Sequence, residues 1–234
     1  MKYIFIHIGK TAGTSFRTFL ESNVKRPYWG YETLHFLAHE NLDIRDPGKF
    51  IEAEPNGHRI FEYFGLFSAH TPYGIHRYLK TKDYQYIAVL REPISRTISA
   101  YRYSIDRGWD TNKTNIIDWF YKEENKDKKH YQLNYVSGVP IDAPYEVKLK
   151  HGLKNLRDDK FLFGLTEKYN EFIDLCCEKN SWTPKYKKVN VTQSKNTVTD
   201  EDKIKLTELL SEEIEFYNKA VEIYNKKHKK VTND

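Results

Sequence analysis

Sulfur and long apolar runs are what this sequence has least of. Its 234 residues include two cysteines and one methionine. The cysteines, Cys176 and Cys177, are sequence neighbours, and adjacent positions rarely reach the Cα separation and torsion of a disulfide. A disulfide-built secreted scaffold is thereby excluded, and the chain reads as thiol-reduced and cytoplasmic. No stretch approaches the length of a membrane span. The opening apolar run, 3–8, stops at Gly9 and Lys10 and is too short for a signal-peptide core. The sequons at Asn112 and Asn190 are accordingly read as incidental. No His or Cys cluster has metal-site spacing, and no metal is expected.

An excess of one charge is missing too. The 38 Lys and Arg stand against 33 Asp and Glu, a net +5, and part of that surplus lies in the tail Lys226, Lys227, His228, Lys229 and Lys230. This is not a nucleic-acid footprint, and no nucleic-acid partner is expected, although a mild positive balance suits an anionic ligand. Aromatic residues, by contrast, are plentiful, with 18 Tyr and 13 Phe. Most serve a core with wet phenol edges, and the same rings suit sugar or nucleotide surfaces.

The length fits one compact α/β domain over 1–234. A β-rich run at 3–8 leads through a glycine-bearing loop into a helical pattern from Phe16 to Ser22. Residues 24–57, punctuated by Pro27, Gly30, Pro47, Gly48, Pro55 and Gly57, read as loops with short helices. Further strands are expected at 59–68, 84–90 and 160–165, and helices at 72–79, 93–106, 113–123, 129–137, 144–155 and 167–179. Thr199 and Asp202 resemble a capping pair that opens a long amphipathic element running through Ile204, Leu210, Tyr217 and Tyr224. Such alternation implies a P-loop-like parallel sheet flanked by helices, with a long C-terminal helical region.

Two loops carry the chemistry. In the first, Gly9-Lys-Thr-Ala-Gly-Thr-Ser15 joins a strand to a helix, so backbone N–H groups and a positive helix end converge where a phosphate would bind. Lys10 adds a charge, Thr11, Thr14 and Ser15 add hydroxyls, and Gly13 permits close approach or positive φ. The nucleoside-triphosphatase motif is not met, because Ile4 stands where its first glycine belongs. In the second, Leu90-Arg-Glu-Pro-Ile-Ser-Arg-Thr-Ile-Ser-Ala-Tyr101, Arg91 can grip a phosphate with its planar fork and Ser99 lies about two helical turns on. Parallel strands open both loops at one sheet edge. Two separate grips imply a nucleotide with phosphates at both ends, and Arg96 is turned away from the face they share.

Together, Ile6-His-Ile-Gly-Lys-Thr-Ala-Gly-Thr-Ser-Phe16 and the Arg91 segment resemble the two nucleotide motifs of carbohydrate sulfotransferases, the group that includes heparan sulfate 2-O-sulfotransferase. Gly9 and Glu92 stand where that family most often has Pro and Asp. Later segments, Phe163-Gly-Leu-Thr-Glu167 and Val189-Asn-Val-Thr-Gln-Ser-Lys195, extend the likeness. The resemblance implies 3′-phosphoadenosine 5′-phosphosulfate (PAPS) as sulfuryl donor and adenosine 3′,5′-bisphosphate as product. Lys10, Thr11, Ala12, Gly13, Thr14 and Ser15 would hold the 5′-phosphosulfate, Arg91 and Ser99 the 3′-phosphate, and Lys195 would lie in a late loop over the nucleotide. The acceptor it implies is a hydroxyl group, most simply of a saccharide.

Transfer to a hydroxyl needs a base for the departing proton. A single histidine is more often structural than catalytic, but Phe67-Ser-Ala-His-Thr-Pro72 is similar to the family's catalytic segment after a strand, which makes His70 the expected base. The second histidine of the 2-O-sulfotransferases is Ser68 here, and His7 is expected to pack beside the sheet. Two other readings stay open: a P-loop nucleotide or sugar kinase, and an inactive nucleotide- or glycan-binding module.

Overall fold

The structure is a computed structural model that describes residues 1–24, 28–30 (backbone), 65–110, 114–122, 128–186 and 198–228. Its centre is a five-stranded parallel sheet in the order β2-β3-β1-β4-β5, built from β1 (Lys2–Ile6), β2 (Tyr28–Gly30), β3 (Leu66–Ala69), β4 (Tyr84–Leu90) and β5 (Phe161–Leu165). The α/β fold expected from the alternating pattern is what forms.

Side chains alternate across this sheet, and the alternation makes two cores. On one face Ile4, Ile6, Phe67, Tyr86, Ala88, Leu90, Phe161 and Phe163 are buried. They are covered by α4 (Tyr131–Ser137), α5 (Tyr145–Arg157) and α8 (Ser211–His228) through Leu133, Leu156 and Phe216. On the other face Phe5, Leu66, Ile87, Val89 and Leu162 meet α1 (Gly13–Asn23) and α6 (Tyr169–Asn180) through Phe16, Leu20 and Phe172. Each such aliphatic or phenyl side chain withdrawn from water contributes about 1.5–3 kcal/mol. Cys176 packs in this second core, and both cysteines are free thiols on α6.

A smaller cluster joins α2 (Pro93–Asp106), α3 (Ile116–Phe120) and α7 (Asp200–Leu209) through Tyr101, Trp119, Leu206 and Leu210. The long C-terminal element is therefore two helices, and they divide its apolar positions. Leu206 and Leu210 enter this cluster, whereas Phe216, Tyr217, Ala220 and Tyr224 return to the sheet.

Two expectations need correction. Residues 28–30, read as loop, add β2 beside β3 in parallel register. A three-residue strand held by backbone pairing has no side-chain period to announce it. The first strand ends at Ile6 rather than Ile8, because the His7 N–H still bonds the Ala69 carbonyl at 2.9 Å but the ladder stops there. The greater part of the expected 59–68 strand lies outside the described residues. No helix among the described residues is long and apolar enough to cross a membrane.

The capping pair forms as the spacing predicts. Thr199 Oγ1 accepts from the Asp202 N–H at 3.1 Å, and Asp202 Oδ2 accepts from the Thr199 N–H at 3.0 Å. Replacing Thr199 by Ala should lower stability by about 1 kcal/mol in urea unfolding, and Thr199→Ser should restore most of it.

Candidate active site

The strand order reverses at β1, with β3 and β2 on one side and β4 and β5 on the other. The crevice at such a reversal, beyond the strands' C-terminal ends, is where open α/β sheets bind ligands. Three segments leave the sheet there: the loop 9–12 after β1, His70 after β3 and Arg91 after β4.

In the first loop Lys10 and Ala12 are left-handed, with φ of 67° and 63°. Non-glycine residues hold that conformation at a cost of the order of 1 kcal/mol each, which points to a functional constraint. Such turns direct successive N–H groups to one side. Ala12 is the N-cap of α1 and supplies no side-chain hydrogen bond, and no acidic residue stands in the first turn. The helix end carrying Gly13, Thr14 and Ser15 thus keeps its positive character for an anion. The Thr11 hydroxyl is committed to the Ile8 carbonyl at 2.9 Å and braces the loop, so the group that Thr11 offers a ligand is its backbone N–H. Gly13 has no positive φ. Its hydrogen is required because a Cβ would collide with Cδ2 and Nε2 of the His7 ring.

The second helix end at this edge is closed. Glu92 caps α2, its carboxylate accepting from the N–H groups of Ile94 at 2.8 Å and Ser95 at 2.7 Å. What remains for a ligand there is Arg91, whose Nη1 donates to the Lys10 carbonyl at 3.1 Å and joins the two loops. Lys10 Nζ in turn sits 3.9 Å from the centre of the Tyr103 ring on α2. Ser99 is one helical turn before Tyr103 and shares its face. Burial, then Arg91, lowers the Lys10 pKa from its ordinary value, with Asp106 opposing. Burial likewise lowers that of Arg91 against the attraction of Glu167 and Glu92. A bound anion would offset both penalties.

The segment 163–167 seats this edge. Thr166 Oγ1 donates to the Leu90 carbonyl at 3.0 Å, and Glu167 accepts from the Glu92 N–H at 3.1 Å and the Tyr217 hydroxyl at 2.8 Å. Arg96 does not reach the site. It is 2% exposed, with its guanidinium 4.3 Å from the centre of the Tyr131 ring and a bond to Thr97 Oγ1.

His70 stacks on His7, with ring centres 4.4 Å apart and planes 24° from parallel. The pairing Ile6↔Ala69 makes these two the next residues along neighbouring strands. Phe5 lies behind His7 at 5.5 Å. Burial lowers the His70 pKa, partly opposed by a hydrogen bond to the His7 backbone, while Arg17 lowers it further. His7 is pushed down to about 3 by burial, then by His70 and Arg17. Both imidazoles are therefore neutral at neutral pH. The Ser68 hydroxyl, buried two residues before His70, has no hydrogen-bond partner among the described residues.

His7 is the residue that sequence reasoning placed as mere packing. A polar ring in period-two step with Phe5, immediately before the phosphate loop, was the available signal. Behind the loops, Glu213 of α8 is 1% exposed and accepts from the backbone N–H groups of Gln132 at 2.7 Å and Leu133 at 3.4 Å. Lys195, and His35, His39 and His58, lie outside the described residues. Among the described residues no cluster of three or more His, Cys, Asp and Glu could hold a metal ion.

This geometry defines an α/β protein with two cationic loops at one sheet edge. The chain belongs to the sulfotransferase family, whose model matches residues 1–231. The fold is similar to the crystal structure of a sulfotransferase from Alicyclobacillus acidocaldarius, with a TM-score of 0.54 and 17% identity over 92% of this chain and 94% of that one. No curated protein matches the chain.

Burial also raises the Glu213 pKa from 4.5 to about 7. A carboxyl group whose folded pKa is raised contributes stability that is fully present below about pH 4.5 and is lost as pH rises through about 7. Glu213→Gln should remove that loss. Urea unfolding at pH 5 and pH 8 should show the wild type declining relative to the variant by about 1.4 kcal/mol for each unit of raised pKa.

Proposed function

We propose that this protein transfers the sulfuryl group of PAPS to a hydroxyl group of a saccharide. The observation that carries the reading is the Arg91 bond to the Lys10 carbonyl, which joins two cationic loops at one sheet edge. A donor with a 5′-phosphosulfate and a 3′-phosphate needs two anion grips, and the motif resemblance assigns them. Lys10 and the N–H groups of Thr11 to Ser15 take the 5′ end, and Arg91 with Ser99 takes the 3′-phosphate.

His70 accepts the acceptor hydroxyl's proton while that oxygen forms its bond to sulfur. The bond from sulfur to the bridging oxygen breaks, and Lys10 neutralises the charge that gathers on the leaving 5′-phosphate. Lowered basicity suits His70 to this task, because a ring kept neutral is ready to accept a proton. His7 holds it in place by stacking and by its backbone, so the second histidine comes from the residue just after β1 where the 2-O-sulfotransferases have one at the position of Ser68. Trp109, 70% exposed and 5.6 Å from Tyr103, offers a sugar ring an apolar face close to Lys10. A kinase would need an acidic magnesium ligand at a strand end. Glu167, which follows β5, has both carboxylate oxygens engaged by protein donors.

Calorimetry should show adenosine 3′,5′-bisphosphate binding more tightly than ADP without magnesium, and Arg91→Ala should cost the bisphosphate about 2 kcal/mol while hardly changing ADP. Equal affinities, or a magnesium requirement, would favour the kinase.

Radiolabelled PAPS with a panel of glycans, lipids and phenols tests turnover and acceptor class together. With an acceptor in hand, His70→Asn should bind nucleotide normally and lower kcat by roughly two to four orders of magnitude. In the wild type, kcat/KM should rise with pH through an ionisation below the ordinary 6.5 and then level off. That ionisation should vanish in the variant, and near-normal single-turnover transfer by His70→Asn would exclude it as the base.

A further inference from the structure

The first turn of α4 touches both phosphate loops, and nothing in the motifs accounts for it. Gln132 is completely buried. Its side-chain carbonyl accepts from the Arg91 backbone N–H at 2.9 Å, and its side-chain amide donates to the Arg91 backbone carbonyl at 2.8 Å. One planar amide thereby satisfies both main-chain groups of the residue just beyond β4, past the last ladder pair of the described residues, Leu90 with Leu165. The neighbouring Tyr131 reaches the other loop, its hydroxyl lying 2.9 Å from where a Cβ on Gly9 would stand. Behind the turn, the Glu213 carboxylate fixes the N–H groups of Gln132 and Leu133.

We propose that Gln132 is a positioning residue for nucleotide recognition: its amide clamps the Arg91 backbone so that the guanidinium stands ready for a 3′-phosphate. The inference rests on the donor reading above. Arg91 is reached through a long side chain, and a backbone free to rotate at the strand's end would spread the guanidinium over many positions. Two bonds from a buried amide remove that freedom before the ligand arrives, which lowers the ordering cost of binding. Glu213 anchors the clamp from the opposite side and ties it to α8 and the core beneath the sheet. A leucine or methionine would fill the same volume as Gln132 and leave the Arg91 N–H and C=O without these partners.

The test is a double-mutant cycle on Arg91→Ala and Gln132→Met, reading the affinity ratio of adenosine 3′,5′-bisphosphate to adenosine 5′-monophosphate, which differ only in the 3′-phosphate. Gln132→Met should lower the ratio about tenfold, a loss of about 1.4 kcal/mol, with little change in monophosphate affinity. In the Arg91→Ala background it should lower it no further. A merely structural role would weaken both nucleotides alike, and an unchanged ratio in Gln132→Met would overturn the clamp while leaving the donor reading intact. A wild type that does not prefer the bisphosphate would overturn the donor reading and this inference with it. Should Gln132→Met fail to fold, nitrogen-15 NMR of the wild type decides. The Gln132 side-chain amide should exchange slowly and shift with bisphosphate but not with monophosphate, and the same shift with both ligands would count against the clamp.

Discussion

The parallel pairing of β1 with β3 on one side and β4 on the other constrains the described side chains of the candidate site. Because the three strands run the same way, their C-terminal ends deliver the loop 9–12, His70 and Arg91 to one edge. A slip of one residue in either ladder would exchange Ile4 and Ile6 for Phe5 between the two cores. The apolar alternation that buries both faces thus also fixes the stacking of His7 on His70 and the reach of Arg91 to the Lys10 carbonyl.

At that edge the cations rest on neutral groups: Lys10 on the Tyr103 ring and Arg91 on a carbonyl oxygen. Three of the nearby carboxylates have other duties. Glu92 closes α2, Glu167 holds the Glu92 N–H and the Tyr217 hydroxyl, and Glu213 holds the start of α4. A ligand anion that meets Lys10 and Arg91 therefore adds to these neutral partners and to the attraction of Asp106 for Lys10 and of Glu167 and Glu92 for Arg91. Of the two helix ends at this edge, α1 is left without a side-chain cap and α2 is capped, which concentrates the attraction on the first loop. Arg96 and Glu213, both buried, attract one another across the same region.

Much of the fold was legible because it has a period. The strands 84–90 and 161–165, the helix from Pro93 to Asp106 and the Thr199–Asp202 cap all follow from local pattern. β2 was not legible, since three residues paired through their backbones carry no such period. The loop Gly9 to Ser15 was recognisable from its residue types, but the reason for Gly13 was not. Its missing Cβ makes room for His7, a residue that no local rule sets against it. Arg96 was legible only as turned away from the face that Arg91 and Ser99 share, and it is α2's packing that puts it in the core.

By itself, the sequence determined the α/β pattern, the two basic loop segments and His70 as the histidine to consider, since each depends on residues close together in the chain. Tertiary structure alone decided that His7 lies on His70, that Thr11 spends its hydroxyl on the Ile8 carbonyl, and that Gln132 holds Arg91 from 41 positions away. Period, capping and charge are local properties and can be read along the chain. Partnership across a sheet edge depends on which strands neighbour one another, and that is set by the joint packing of both faces.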